Sequence, residues 1–333
     1  MVRAHELTAG KRTRLRRMMN EDGVIAALAI DQRGAMKKLI GAYKEPKDED
    51  IVEFKKLVSS ELTKYTSAIL LDPEYGLPAT SLRASTCGLL MAYERTGYDA
   101  TVAGRLPDLL GHWSVRRIKE AGADAVKFLL YYDPEEGDEI NDQKKAFVER
   151  VGAECKAEDM PLFVELVTYD AGTTGLNGLD PKSAEYAAKK PHKVIESTRE
   201  FSDPRYGIDV LKLEVPVNMA FVDGFAAEGV TPVYSKDEAA AYFREQSEAT
   251  DLPFIFLSAG VSADLFRETL KFAKNAGSTF NGVLCGRATW ADGVAAFAKG
   301  GEEAARAWLE GQGRQNVEEL NEVLARTATG IEL

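Results

Sequence analysis

A chain of 333 residues with 45% hydrophobic and 29% charged residues can bury a large core and is not disordered in bulk. Its 42 basic against 53 acidic residues leave a net charge of -11, and no lysine/arginine cluster is broad enough to track a nucleic-acid backbone or an anionic lipid surface, so neither is an expected partner. No apolar run approaches the roughly 20 residues that cross a bilayer and the basic start carries no apolar signal core, so a cytoplasmic location is expected. Cys87, Cys155 and Cys285, like His5, His112 and His192, are scattered without paired spacing, which argues against a disulfide framework and against zinc.

In chain order, eight short β-rich apolar runs occur at 24–30, 68–72, 89–94, 125–130, 162–168, 210–215, 254–258 and 282–286. Between them lie stretches whose apolar residues recur at three- and four-residue steps, as an amphipathic helix requires: 48–65, 109–122, 143–159, 262–277 and 302–328. Glycine ends the helical pattern in "AGAD" at 121–124 and "NAG" at 275–277. Eight strands alternating with helices predict an α/β chain folded as a (β/α)8 TIM barrel, a single domain over 1–333 with an N-terminal helical extension at about 1–22 and C-terminal helices at about 300–330. Two links strain this count, the short one from second to third strand and the long one from fifth to sixth. The rival, an open doubly wound sheet, lacks its glycine fingerprint, because "DQRGAM" follows the first strand.

In such a barrel the chemistry belongs at the carboxyl ends of the strands. There the sequence places "AIDQRG", "LDPEYG", Lys127, Glu165, Lys212 with Glu214, "LSAGVS" and "CGRATW". Strand parity is consistent with Lys127, Glu165 and Lys212 projecting into one interior. Burying an unpaired ammonium is costly, and two ammonium groups in one enclosure favour the neutral, nucleophilic form of one of them, which attacks a carbonyl to give an imine. A lone strand lysine is more often an outward residue or half of an ion pair; the three together point to catalysis. Glu214 is read evenly as support for them or as an ordinary ion-pair partner. Ser258 and Gly260 after strand 7, with Ser262 as an N-cap, and Gly286 and Arg287 after strand 8, form the pair of loops where barrels hold a phosphate.

The blocks "LAIDQRGAM", "LLDPEYGLPA", "GADAVKFLLYYDP", "FVELVTYD", "DVLKLEVPVN", "FLSAGVS" and "GVLCGRATWADGV" resemble, in this order and over nearly the whole chain, the class I tagatose-1,6-bisphosphate aldolases. The resemblance implies a metal-independent lyase without a cofactor, which reversibly cleaves D-tagatose 1,6-bisphosphate into dihydroxyacetone phosphate and D-glyceraldehyde 3-phosphate, as in lactose or galactose catabolism. It implies loose selectivity among ketohexose bisphosphates. On it, Lys212 is the Schiff-base lysine, Glu165 the acid/base, Lys127 the assisting lysine and Asp31 the group at the C4 hydroxyl, although an aspartate there can also serve as a strand-end cap. Gln32 can orient a substrate hydroxyl and Arg33 can meet the second phosphate, or both can brace their loop. Ser258, Gly260, Gly286 and Arg287 are expected at the dihydroxyacetone-side phosphate. Three alternatives stay open: a sulfofructose-1-phosphate aldolase, a sugar-phosphate isomerase or epimerase, and a metabolite-sensing relative on the same barrel. A small sugar phosphate is the expected partner, and a homo-oligomer is compatible with the fold.

Overall fold

The computed structural model describes residues 7–95, 97–173 and 175–333; His5 and the first six residues of the expected N-terminal extension lie outside these. Eight parallel strands, β1 (Ile25–Ala29), β2 (Ala68–Leu71), β3 (Gly88–Ala92), β4 (Ala125–Tyr132), β5 (Leu162–Thr168), β6 (Val210–Leu213), β7 (Phe254–Leu257) and β8 (Gly282–Cys285), close into a barrel in sequence order, β8 pairing with β1. The two troublesome links resolve locally. A single helical turn, Leu77–Thr80, spans β2 to β3, where no room exists for more. The long link from β5 to β6 carries a loop and then the helix Ala184–Glu200, whose Ser183 hydroxyl accepts from the Tyr186 amide as N-cap.

Helix boundaries shift where capping outweighs periodicity. The stretch 109–122 is helical only over Val115–Glu120, because Ser114 caps it and Leu109 instead pairs with Glu94 in an isolated bridge. The stretch 143–159 starts earlier, at Asp138, whose charge suits a helix N-terminus. The stretch 302–328 belongs to two helices, Gly293–Trp308, kinked at Gly301 (φ 71°), and Arg314–Thr327, joined by a π-helical turn at Leu309–Gly313. Gly122 (φ 87°) and Gly277 (φ 90°) sit in the left-handed region where the helices before β4 and β8 stop.

Two apolar layers follow from strand parity. Ala26, Leu28, Ile69, Leu71, Val126, Phe128, Leu211, Leu213 and Phe256 face the helical ring, while Ile25, Ala27, Ala29, Ala68, Leu70, Leu90, Ala92, Ala125, Phe163, Val210, Ile255 and Leu284 fill the interior. Outside, the helix Asp48–Leu62 buries Ile51, Phe54, Leu57 and Val58, each contributing about 1.5–3 kcal/mol of hydrophobic burial. Inside, alanines at 29, 68, 92 and 125 leave space that longer side chains from neighbouring strands can occupy. The helix Ala9–Arg16 sends Leu15 into the interior layer from below, Met18 follows it, and Lys11 is locked to Asp209 at 2.7 Å. The amino-terminal mouth is thereby plugged, leaving the opposite mouth to the chemistry.

Candidate active site

Parity brings Lys127, Glu165 and Lys212 onto the same inner face as Ala125, Phe163 and Val210, and register does the rest: Glu165 pairs with Lys212 across β5 and β6. All three are buried. Lys212 Nζ lies 2.8 Å from Glu165 Oε1, and Lys127 Nζ lies 2.8 Å from Glu165 Oε2, so one carboxylate bridges two amines. Lys127 also reaches Asp31 Oδ2 at 3.0 Å and Glu94 Oε1 at 2.6 Å. Burial pulls the Lys127 ammonium toward losing its proton, but Asp31, Glu165 and Glu94 outweigh it and hold its pKa well above that of an ordinary lysine. Burial likewise pushes Asp31 and Glu165 up, and in both the charges of Lys127 and Lys212 prevail, leaving Asp31 far below and Glu165 below the usual carboxylate range. Lys127 is therefore a fixed cation at neutral pH, with Asp31 and Glu165 as fixed anions beside it.

These groups form the floor of a cavity of about 360 Å³ at the carboxyl ends of the strands. Gln32, Ser258, Gly260, Gly286 and Arg287 line the same cavity. Gly260 has φ 76°, and a Cβ added there would stand 2.8 Å from the Arg287 guanidinium, so the β7 and β8 loops approach each other closely only because this residue is glycine. Arg287 is exposed at the rim. Ser262 caps the helix Ala263–Asn275 through the Leu265 amide. Arg33 lines the cavity but is buried: its guanidinium pairs with Glu74 and donates to the Glu94 carbonyl at 2.9 Å. Among the described residues no cluster of three or more His, Cys, Asp or Glu side chains is arranged to hold a metal ion.

The same chain order matches known proteins. A family profile described as DeoC/LacD family aldolase covers residues 25–292. This chain belongs to the DeoC/LacD family of aldolases. A relative from Enterococcus faecalis, tagatose 1,6-diphosphate aldolase 2, is 63% identical to this aldolase over 324 residues, spanning 97% of this chain and 96% of its own. The tagatose 1,6-diphosphate aldolase of Streptococcus pneumoniae (strain R6) is 57% identical over 325 residues, with 97% and 98% covered. A solved fructose-bisphosphate aldolase from Plasmodium falciparum superimposes with a TM-score of 0.71 over 99% of both chains at 18% identity, a likeness of fold.

Two features of the aldolase site escaped the sequence, and a third, Glu214, takes the ion-pair role that the sequence held open. Glu94, the last residue of the expected run 89–94 though beyond the observed β3, follows Leu90 and Ala92 in inward parity and supplies the third carboxylate on Lys127; the signal was that parity, already inside the expected run. Asp72 of "LDPEYG" turns away from the cavity and forms a fully buried pair with Lys55 on the helix Asp48–Leu62. Glu214 accepts from the Thr168 amide and hydroxyl, both at 2.7 Å, and pairs with buried Lys190 at 3.1 Å. Its carboxylate is occupied by these partners and forms the wall between the main cavity and a second chamber of about 440 Å³.

Proposed function

We propose that this aldolase reversibly cleaves D-tagatose 1,6-bisphosphate into dihydroxyacetone phosphate and D-glyceraldehyde 3-phosphate through an imine on Lys212. The observation that carries the reading is the Lys212–Glu165–Lys127 bridge, buried at the cavity floor, with the tagatose 1,6-diphosphate aldolases at 57–63% identity supporting the substrate. The free amine is the attacking form, and Glu165 at 2.8 Å can carry the proton it sheds. Lys212 attacks the C2 ketone, Glu165 returns a proton as water leaves the carbinolamine, and the cationic imine draws the electrons of the C3–C4 bond as it breaks. Asp31 stays ionised and accepts the C4 hydroxyl proton. So weak a base suffices because that hydroxyl turns into a protonated aldehyde, a strong acid, as the bond opens. The proton that Asp31 has taken passes to Glu165 by way of Lys127, which touches both carboxylates and gives up one proton as it receives the other; Glu165 then delivers it to C3 of the enamine, and water releases dihydroxyacetone phosphate and the free Lys212 amine. Lys127 cannot compete as nucleophile while its proton is held by three carboxylates. Ser258, Gly260, Gly286 and Arg287 hold the ketone-side phosphate beside Lys212, converting encounter into a positioned reaction. Gln32, whose buried Oε1 has no hydrogen-bond partner among the described residues, is placed to accept from a substrate hydroxyl.

The test is steady-state cleavage of tagatose 1,6-bisphosphate, fructose 1,6-bisphosphate and sulfofructose 1-phosphate side by side, with and without EDTA. Cleavage of both bisphosphates, in preference to the sulfosugar and unchanged by EDTA, is expected. Inactivity on every ketose bisphosphate, or its loss on chelation, overturns the assignment.

A further inference from the structure

Cations that line the main cavity and the second chamber fall into two groups. Arg33, Lys127, Lys190 and Lys212 each face a carboxylate: Glu74; Asp31, Glu94 and Glu165; Glu214; and Glu165 again. Arg287, Arg105 and Lys182 have no ion-pair partner among the described residues. A protein that neutralises most of its cavity cations and leaves a few bare has left charge for something else to meet. Arg287 sits at the β7 and β8 loops, whereas Arg105 belongs to the connection after β3, across the closed barrel from β7.

Arg105 is also built in. Its guanidinium lies over the rings of Tyr131, at 5.0 Å, and Tyr169, at 5.2 Å, which hold a cation without cancelling its charge. Its backbone has φ 42°, a region that non-glycine residues visit only when their surroundings impose it. Those surroundings are on either side: a Cβ on Gly104 would meet Ile140 at 2.9 Å, and one on Gly175 of the β5 loop would meet Ala103 at 2.7 Å. Glu136, which shares Tyr169 with Arg105, is engaged through Oε2 by Lys144 at 2.7 Å and by the Tyr169 hydroxyl and forms no ion pair with Arg105 among the described residues. Tyr131, Val167 and Glu214 line both spaces, so the chamber beneath Arg105 adjoins the cavity above Lys212.

We infer that Arg105 anchors the phosphate on the aldehyde end of the substrate. This rests on the bisphosphate aldolase reading, and it moves the role from Arg33, whose guanidinium is buried against Glu74, to an arginine with no ion-pair partner among the described residues. A phosphate ester carries about two negative charges at neutral pH and matches the two-pronged guanidinium. With Arg287 at one end and Arg105 at the other, a six-carbon chain phosphorylated at both ends lies across the mouth with its ketone over Lys212.

The experiment compares the parent protein with Arg105→Gln and Arg105→Lys on ketohexose 1,6-bisphosphate and ketohexose 1-phosphate, and measures borohydride trapping of dihydroxyacetone phosphate. For Arg105→Gln, KM for the bisphosphate is expected to rise about ten- to a hundredfold, the loss of one charged hydrogen-bonded contact. Half-saturation for trapping dihydroxyacetone phosphate, and KM for the 1-phosphate, are expected to stay within twofold, and Arg105→Lys to recover part of the loss. Equal losses on both substrates, or an unchanged bisphosphate KM in a variant that melts like the parent, overturn the inference while leaving the aldolase reading intact. A parent protein that cleaves neither substrate overturns the aldolase reading first.

Discussion

Replacing Glu165 with glutamine separates the bridging carboxylate from every other feature of the site. Each oxygen of Glu165 now serves one lysine at 2.8 Å. The carboxamide keeps one acceptor and turns an NH2 group toward the other lysine, so one of the two contacts becomes a donor facing a donor. Lys127 retains Asp31 and Glu94 at 3.0 and 2.6 Å and stays where it is. Lys212, buried with Glu165 as its ion-pair partner, loses both the contact and the group that moves its protons. Loss of a positioned acid/base lowers kcat by about 10²–10⁴-fold. Stability falls by no more than the about 3–5 kcal/mol of a broken buried ion pair, since Lys127 remains compensated. The assay is single-turnover cleavage, with the rate of borohydride trapping as a separate readout of imine formation and denaturant unfolding as the control for folding. A Glu165→Gln protein that forms imine and cleaves substrate within tenfold of the parent rate refutes the acid/base role.

Lys127→Met leaves Asp31, Glu94 and Glu165 converging without their shared cation, whereas Lys212→Met leaves Glu165 still paired with Lys127. Urea unfolding should therefore show Lys127→Met losing more stability, at least about 3 kcal/mol, and equal losses contradict the network. Asp31 and Glu165 have folded pKa values below their unfolded ones, so their contribution is complete above about pH 5 and drains away as the pH falls through roughly 4 and below. Lys127 has the opposite sign: its pKa is raised on folding, so its contribution holds below about pH 10 and is lost above that. Denaturant midpoints against pH should accordingly be flat near neutrality and fall on the acid side, less steeply in Asp31→Asn. Gly260→Ala adds a Cβ at φ 76° against the Arg287 guanidinium, which can swing away; about 1 kcal/mol of stability and a raised KM are expected, with kcat nearly unchanged, measured by melting and steady-state kinetics.

The barrel was legible because alternation along a strand has period two. Once "AVKFLL", "LFVELVT" and "VLKLEV" are read as strands, the parity of residues 125 and 127, 163 and 165, and 210 and 212 follows, and the structure places all three polar side chains on one inner face. The same counting from Leu90 through Ala92 reaches Glu94, the last residue of the run 89–94, but its partner Lys127 lies 33 residues on and nothing local to Glu94 marks the pairing. Asp31 and Arg33, two residues apart at the end of β1, diverge for a similar reason: Asp31 meets Lys127 over the cavity floor, and Arg33 is drawn back by Glu74 and the Glu94 carbonyl, partners distant in sequence. Arg105 lies in a connection whose path is set by contacts with Ile140 and Gly175, and no local pattern announces it. Charge partnering is a property of the folded chain, and only there does a bare arginine stand out from paired ones.

The most direct measurement of the central claim is covalent. Incubation with a ketohexose 1,6-bisphosphate or with dihydroxyacetone phosphate, reduction with borohydride, and peptide mass spectrometry should locate the reduced adduct on Lys212, with Lys127 unmodified. An adduct on Lys127 reverses the roles of the two lysines, and the absence of any adduct under conditions where cleavage proceeds contradicts imine chemistry at this site.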